Sequence, residues 1–137
     1  MSSKSAVEVV ESITAAIARL DLGKFYSMLA EDIVAHFPYL PEPFPKQING
    51  KAGFEQIFTA VTGLFSEYSW TAMDLFTTEL DPALVIGRAS ATATMKSGEG
   101  YSNDYVFFWR IVDGKLAEYH EYFDSARAMS AFASLQQ

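Results

Sequence analysis

The chain has 137 residues, of which 50% are hydrophobic and 15% aromatic, and this apolar content supports one folded core and argues against intrinsic disorder. Lysine and arginine number 10 against 17 aspartate and glutamate residues, a formal net charge of -7, which argues against nucleic acid or an anionic membrane as the main partner. There is no cysteine, so disulfides, thiolate nucleophiles and cysteine–zinc sites are excluded.

No window reaches the roughly 18 apolar residues that a membrane helix needs, and the N-terminus lacks the apolar stretch of a signal peptide. We therefore predict a single cytoplasmic domain over residues 1–137, with no nucleic-acid or membrane partner. His36 and His120 are the two histidines, too few for a histidine-rich metal site.

The first half of the chain favours helices. Apolar residues recur at helical spacing over residues 6–20 and again over 51–65, and a shorter helical pattern covers 24–30. Residues 33–37 are rich in β-branched and aromatic side chains, which predicts a strand. Four prolines between 38 and 45 predict an irregular loop, because proline lacks the N–H that a helix or ladder requires.

The second half changes to strand patterns. Strands are predicted over 69–80, 83–95, 101–112 and 115–123, and a helix over the tail 124–135. Helices followed by an antiparallel meander indicate an α+β fold.

The turn Asp113-Gly114 predicts a two-residue hairpin loop that pairs Val112 with Lys115. An unbroken register would then place two sets of side chains on opposite faces of the hairpin. One face would carry Asp104, Val106, Phe108, Arg110, Ala117, Tyr119, Glu121 and Phe123. The other would carry Tyr105, Phe107, Trp109, Ile111, Leu116, Glu118, His120 and Tyr122. We assign the apolar stripe of Tyr105, Phe107 and Trp109 to a homodimer interface, since it is too apolar to face water.

Two segments resemble the nuclear transport factor 2-like superfamily and its SnoaL-like branch. These are the opening AVEVVESITAAIARLDLGKFYSMLAEDIVAHFP and the closing YVFFWRIVDGKLAEYHEYFD. The resemblance implies a cone-shaped α+β barrel: a strongly bent sheet wraps a long helix, an apolar pocket opens at one end, and the convex sheet face commonly forms a homodimer.

Within the superfamily, the DP turn and the GYSN segment also resemble the phenazine-biosynthesis A/B proteins, and this implies a proton-donating glutamate at Glu121. The limonene-epoxide-hydrolase branch also places its catalytic acid at Glu121 and its arginine at Arg88. Its second aspartate falls on Ser90, which argues against epoxide hydrolysis. The ketosteroid-isomerase residues fall on Ile13 and Phe37, which argues against that mechanism.

The resemblance implies that Glu121 lines the pocket and that Arg88 points inward from the neighbouring strand. Apolar surroundings would raise the pKa of Glu121 and suit an acid, whereas Arg88 would lower it and suit a base or an anchor. A purely structural Arg88–Glu121 ion pair is the alternative. Asp104, on the same predicted face, and His36, at a plausible pocket mouth, complete the candidate catalytic residues.

The remaining candidates are ligand-binding residues of the pocket wall. They are Tyr119, Tyr39, Phe37, Tyr26, Phe108, Ser90 and Phe123. The proline-rich segment 38–47 is a candidate lid.

The predicted function is a small cofactor-free enzyme, without a metal, that binds a small hydrophobic molecule. Its substrate would be an apolar cyclic or polyketide-like metabolite. The reaction would be an isomerisation, a cyclisation or assistance to a condensation, by general acid/base chemistry. A non-catalytic module that binds hydrophobic ligands is the alternative, and a fold that serves only assembly is the third hypothesis.

Overall fold

The computed structural model describes residues 5–133 and confirms the α+β class, with a curved sheet that does not close on itself. Its six strands are ordered β2-β1-β6-β5-β4-β3. In chain order the elements are α1 (Ala6–Ala18), α2 (Leu22–Tyr26), β1 (Leu29–His36), β2 (Gln47–Asn49), α3 (Lys51–Thr62), β3 (Phe65–Thr77), β4 (Leu84–Met95), β5 (Gly100–Val112), β6 (Lys115–Phe123) and α4 (Ser125–Ala133). In the described part of the chain, no helix is both long enough and apolar enough to cross a membrane.

Helix α1 lies against the concave side of the sheet, where it contacts β3, β4 and β5. Its start is defined by a capping box, in which Ser5 and Glu8 each bond the other's backbone N–H. Val10 and Ile13 are fully buried, so the apolar stripe read from the sequence faces the core.

The predicted second helix is shorter than expected, because β1 begins at Leu29. Leu29 is in register with Leu116 of β6, and the Leu116 N–H donates to the Met28 carbonyl at 2.8 Å. This long-range pairing overrides the local helical pattern. The loop predicted to be irregular also contains a short strand, β2, which pairs with the end of β1.

The predicted hairpin register is correct only near the turn. Val112 pairs with Lys115 and Ile111 with Leu116, but the ladder then shifts by one residue, so that Ala117 forms a bulge. Beyond it, Trp109 pairs with Tyr119. Beyond a one-residue shift, the side chains of one strand share a face with the opposite set of side chains on the partner strand.

The bulge places the aromatic stripe of β5 inside the protein, on the same face as Tyr119 and Glu121. Tyr105, Phe107 and Trp109 are 8%, 2% and 1% exposed. The assignment of these three residues to a dimer interface is therefore wrong, since they belong to the core of one chain. Homodimer formation itself stays a prediction.

Candidate active site

The concave side of the sheet encloses a cavity of about 80 Å³ between α1, α3, α4 and strands β3, β5 and β6. Its wall is apolar and aromatic, with Glu121 as its charged residue. The lining residues are Thr14, Ile17, Leu20, Leu40, Phe58, Val61, Thr62, Phe65, Tyr68, Trp70, Tyr101, Tyr105, Phe107, Trp109, Tyr119, Glu121, Phe123, Ala128 and Phe132. An acid enclosed by such a wall is poorly solvated, and poor solvation of the charged form raises its pKa.

Glu121 and Tyr119 form the polar centre of this cavity. They share one face of β6, and the Tyr119 hydroxyl donates a hydrogen bond to Oε1 of Glu121. Burial raises the pKa of Glu121 to about 7, and the bond from Tyr119 opposes that rise. Burial and the neighbouring carboxyl raise the pKa of Tyr119 well above its ordinary value. Near neutral pH the Tyr119 phenol therefore stays protonated, whereas the Glu121 carboxyl gains and loses its proton.

Further phenols line the wall around Glu121. The hydroxyl of Tyr68 donates to that of Tyr105 at 3.0 Å, and Asn103 Nδ2 donates to the Tyr101 hydroxyl at 2.7 Å. Burial is the main cause that raises the pKa of all three phenols, and the charge of Glu121 adds to it. The carboxyl therefore lies among neutral phenols rather than among cations.

The cavity also contains two indoles with different polar environments. Trp70 Nε1 donates to the Thr14 carbonyl at 2.9 Å. Trp109 Nε1 is buried and has no hydrogen-bond partner among residues 5–133. An unpaired buried donor costs about 1–3 kcal/mol, so the Trp109 N–H is an unused polar group in the cavity wall.

Helix α4 closes one side of the cavity with Ala128 and Phe132. The segment 38–47, expected to be the lid, contributes Leu40 to the lining, and its Phe44 packs against Phe132 with ring centroids 5.8 Å apart. Buried Asn103 anchors the start of α4, because it donates to the Asp124 carbonyl at 3.1 Å and accepts from the Asp124 N–H at 2.9 Å. Helix α4 therefore covers this side of the cavity more than segment 38–47 does.

The expectation that Arg88 faces Glu121 is wrong. Arg88 projects from the outer face of β4, its side chain is 72% exposed, and its Nη2 lies 3.1 Å from Oδ2 of Asp74 on β3. The cause is the alternation of β4, in which Ala89 and Ala91 point into the core. Within residues 5–133, Glu121 consequently has no guanidinium beside it, which removes both the Arg88–Glu121 ion pair and the charge that would lower its pKa.

Asp104 and Ser90 also point outward, so the expectation that Asp104 shares a face with Glu121 is wrong as well. Ser90 Oγ donates to Asp104 Oδ1 at 2.7 Å, and the Asp104 side chain is 68% exposed. Together with Arg88 and exposed Tyr39 they line a groove of about 470 Å³ on the outer sheet face. The structure thus gathers these four predicted site residues on the side of the sheet opposite Glu121.

The other predicted ligand contacts divide between the two faces. Phe123 lines the cavity and also borders the outer groove. Phe37 is buried against Tyr119, with ring centroids 5.6 Å apart, and supports the cavity wall from behind. Phe108 instead borders an outer concavity, and Tyr26 bonds Thr59 on α3 at 2.6 Å outside the lining. His36 stacks on His120 on the outer face, which corrects its expected place at the pocket mouth.

Sequence reasoning missed the phenols Tyr68 and Tyr101 and assigned Tyr105 to a surface. The alternation in β5 held a usable signal, since positions 105, 107, 109 and 111 are all apolar or aromatic whereas 104 and 110 are charged. Such a contrast places the apolar set in the core. No comparable signal in the sequence marks the bulge at Ala117.

A helix enclosed by a bent, mostly antiparallel sheet, with one desolvated acid in an aromatic hollow, defines this molecule as a small pocket protein of the nuclear transport factor 2-like class. Residues 10–119 match the SnoaL-like domain, and this match covers most of the 137 residues. The chain belongs to the SnoaL-like family. The more particular resemblance to the phenazine-biosynthesis proteins stays a prediction.

Similar proteins are found among curated sequences and solved structures. The uncharacterized protein YesE of Bacillus subtilis (strain 168) is 22% identical over 129 residues, which cover 94% of this chain and 88% of YesE. A Bacillus subtilis structure named "putative isomerase" is 24% identical with a TM-score of 0.84, covering 93% of this chain and 92% of that one. A Pseudomonas putida structure named "putative polyketide cyclase" is 17% identical with a TM-score of 0.78, covering 93% and 98%. These structural likenesses establish the shared fold.

Proposed function

We propose that the protein is a cofactor-free enzyme that moves a proton on a small apolar cyclic or polyketide-like metabolite, with Glu121 as general acid and base. The observation that carries this proposal is the burial of Glu121 in an aromatic cavity, which brings its pKa to about 7. A group whose pKa lies near the working pH is present in both protonation states, and this favours proton transfer in either direction.

The proposed step begins with a ketone bound in the cavity. The Glu121 carboxylate takes a proton from the carbon next to the carbonyl, and the C–H electron pair moves toward the carbonyl oxygen to form an enolate. The Tyr105 hydroxyl can donate to the developing oxyanion, because it lines the same hollow and accepts, rather than donates, in its bond with Tyr68. Glu121 then returns its proton to the same or another carbon, which restores the carboxylate and completes exchange or isomerisation.

Tyr119 holds the carboxyl in place for this exchange. Its hydrogen bond to Oε1 fixes one oxygen of Glu121, so the other oxygen is left to meet the substrate. The same bond stabilises the charged form and limits the rise in pKa caused by burial. Tyr119 therefore positions the carboxyl and keeps its pKa close to neutrality rather than far above it.

The size of the hollow restricts the ligand. Its volume of about 80 Å³ is below the roughly 300–1,000 Å³ of pockets that hold drug-sized molecules. The substrate is accordingly either small, such as a single ring, or enters when α4 and Phe132 move away from the wall. The isomerase and polyketide-cyclase names belong to other proteins of this fold, and they support the class of chemistry.

Deuterium exchange tests the proposal without knowledge of the natural substrate. The full chain is incubated in D₂O with a small cyclic enone such as cyclohex-2-enone, and deuterium at C6, the saturated carbon next to the carbonyl, is followed by NMR. We expect exchange above the buffer rate, loss of that excess in Glu121→Gln, and retention in Arg88→Gln, because Arg88 lies on the outer face. Equal excess exchange in the wild type and Glu121→Gln would refute the assignment of Glu121.

A ligand-binding module without catalysis is the second candidate. The observation that favours it is that Glu121 is the one charged residue in the described cavity lining, so there is no second acid or base to assist it. This alternative predicts saturable binding of the enone, followed by protein NMR, in both the wild type and Glu121→Gln. It also predicts no excess deuterium incorporation with either protein.

A further inference from the structure

The outer face of the sheet brings both histidines of the chain together. His36 of β1 is in register with His120 of β6, and their rings are stacked with centroids 4.3 Å apart and planes 10° apart. Nε2 of His120 lies 2.8 Å from Oε1 of Glu118. One nitrogen or oxygen of each of the three side chains lies within 4.8 Å of the others.

Two features of the backbone create this cluster. The parallel pairing of β1 with β6 sets His36 directly beside His120, although the two residues lie 84 positions apart in the sequence. Glu118 and His120 are two residues apart in β6, beyond the bulge, and so share one face of the strand. The sequence, with only two histidines far apart, gave no sign of such a site.

We propose that His36, Glu118 and His120 bind one divalent first-row transition-metal ion, with Zn²⁺ as the expected ion. Two imidazoles and a carboxylate are a donor set that Zn²⁺ accepts, and three protein ligands leave a fourth position for water or another ligand. The site lies across the sheet from Glu121, since His120 faces outward and its neighbour Glu121 faces the cavity. It is therefore independent of the proposed proton-transfer function.

The resting distances require a modest contraction around the ion. Ligand atoms of a tetrahedral Zn²⁺ site lie roughly 3.3 Å apart, against separations of up to 4.8 Å in the cluster. The side chains have the freedom to close that difference, because those of His120 and Glu118 are 26% and 40% exposed. The close His120–Glu118 contact lengthens slightly as the ion replaces the hydrogen between them.

Neighbouring charges orient the carboxylate. Arg110 Nε lies 3.2 Å from Oε2 of Glu118, which leaves Oε1, the atom nearest His120, for the ion. Arg110 is itself held by Asp81, with Nη1 and Oδ2 2.7 Å apart, and Asp81 offsets its positive charge. Such support around a ligand is typical of metal sites, where it fixes ligand orientation.

The cluster opens into a concavity of about 260 Å³ on the outer face. Its lining residues are Leu84, Phe108, Arg110, Glu118, His120 and Tyr122. This space gives an ion bound at the cluster access to solvent and room for its fourth ligand.

The test uses the full chain without an affinity tag, titrated at neutral pH with Co²⁺ and followed by visible absorption. Zn²⁺ is then added as a competitor, and its affinity is measured by calorimetry. Because the chain has two histidines and no cysteine, imidazole ligation can arise only from His36 and His120. We expect one saturable site per chain with visible bands of low-coordinate Co²⁺ that Zn²⁺ displaces.

Single substitutions then locate the site. We expect His36→Asn, His120→Asn and Glu118→Gln each to weaken Zn²⁺ binding by at least about tenfold. Asp74→Asn, which removes a carboxylate elsewhere on the outer face, should leave the affinity unchanged. Glu121→Gln should bind Zn²⁺ like the wild type. A failure of the metal proposal can therefore be distinguished from a failure of the proposed proton transfer.

Three results would overturn the proposal. They are the absence of saturable Co²⁺ binding to the wild type, wild-type affinity in the His36→Asn/His120→Asn double variant, and Zn²⁺ affinities of Asp74→Asn and Glu118→Gln that do not differ. Imidazole NMR of the wild type provides a check that does not depend on the variants being folded. Zn²⁺ must shift the ring signals of both histidines at the same stoichiometry, and a shift of one or neither contradicts the site.

Discussion

Replacement of Glu121 by glutamine should make the protein more stable at alkaline pH. The pKa of Glu121 is about 7 in the folded chain against an ordinary 4.5, so the folded state holds this proton more tightly than the unfolded state. Stability is therefore full below about pH 4.5 and declines as pH rises through about 7. At about 1.4 kcal/mol for each tenfold change, the ionised buried carboxyl costs the fold about 3 kcal/mol.

Urea unfolding of the wild type and Glu121→Gln at a series of pH values measures this cost. The free energy of unfolding of the wild type should fall relative to the variant by about 3 kcal/mol between about pH 4 and pH 8. His36 and Glu118 have lowered pKa values, so their contributions are lost as pH falls, and they cancel in the difference between the two proteins. Curves that remain parallel over this range would refute the raised pKa of Glu121.

Three other substitutions test the surroundings of the site. Tyr119→Phe removes the hydrogen bond that lowers the pKa of Glu121, so the midpoint of the pH–exchange profile should move upward, and a downward shift would contradict this reading. Gly87→Ala would place a Cβ 2.5 Å from the Trp109 ring, and we expect it to lower the free energy of unfolding in urea by about 1–3 kcal/mol. Asn103→Leu removes the anchor of α4, so amide hydrogen exchange in α4 should accelerate more than in α1, and unchanged protection would show that other contacts hold this helix.

Sequence patterns were sufficient for most of the fold. The helical spacing of 6–20 and 51–65 and the strand patterns of 83–95 and 101–112 correspond to α1, α3, β4 and β5 within a few residues. These segments carry a strong period, which is set by burial of one face. The strand start at Leu29 and the short β2 were missed, because both depend on pairing with residues distant in the sequence.

The candidate site was predictable only in part, for the same physical reason. The family resemblance located Glu121 and Tyr119, which do line the cavity. Asp104 was placed beside Glu121 on the assumption of an unbroken ladder, whereas the β-bulge at Ala117 shifts the register by one residue. The inward position of Arg88 came from the resemblance, and the alternation of β4 places it outside. A bulge leaves little trace in a single sequence, yet it decides which face meets the cavity.

The titration of the Glu121 carboxyl carbon by NMR tests the central claim most directly. The wild-type chain carrying ¹³C at the glutamate carboxyl is compared with Glu121→Gln to identify the signal. A buried acid among phenols should titrate with a midpoint near 7, as its pKa requires. A midpoint close to the ordinary 4.5 would show a well-solvated carboxylate and contradict its role as an acid and base at neutral pH.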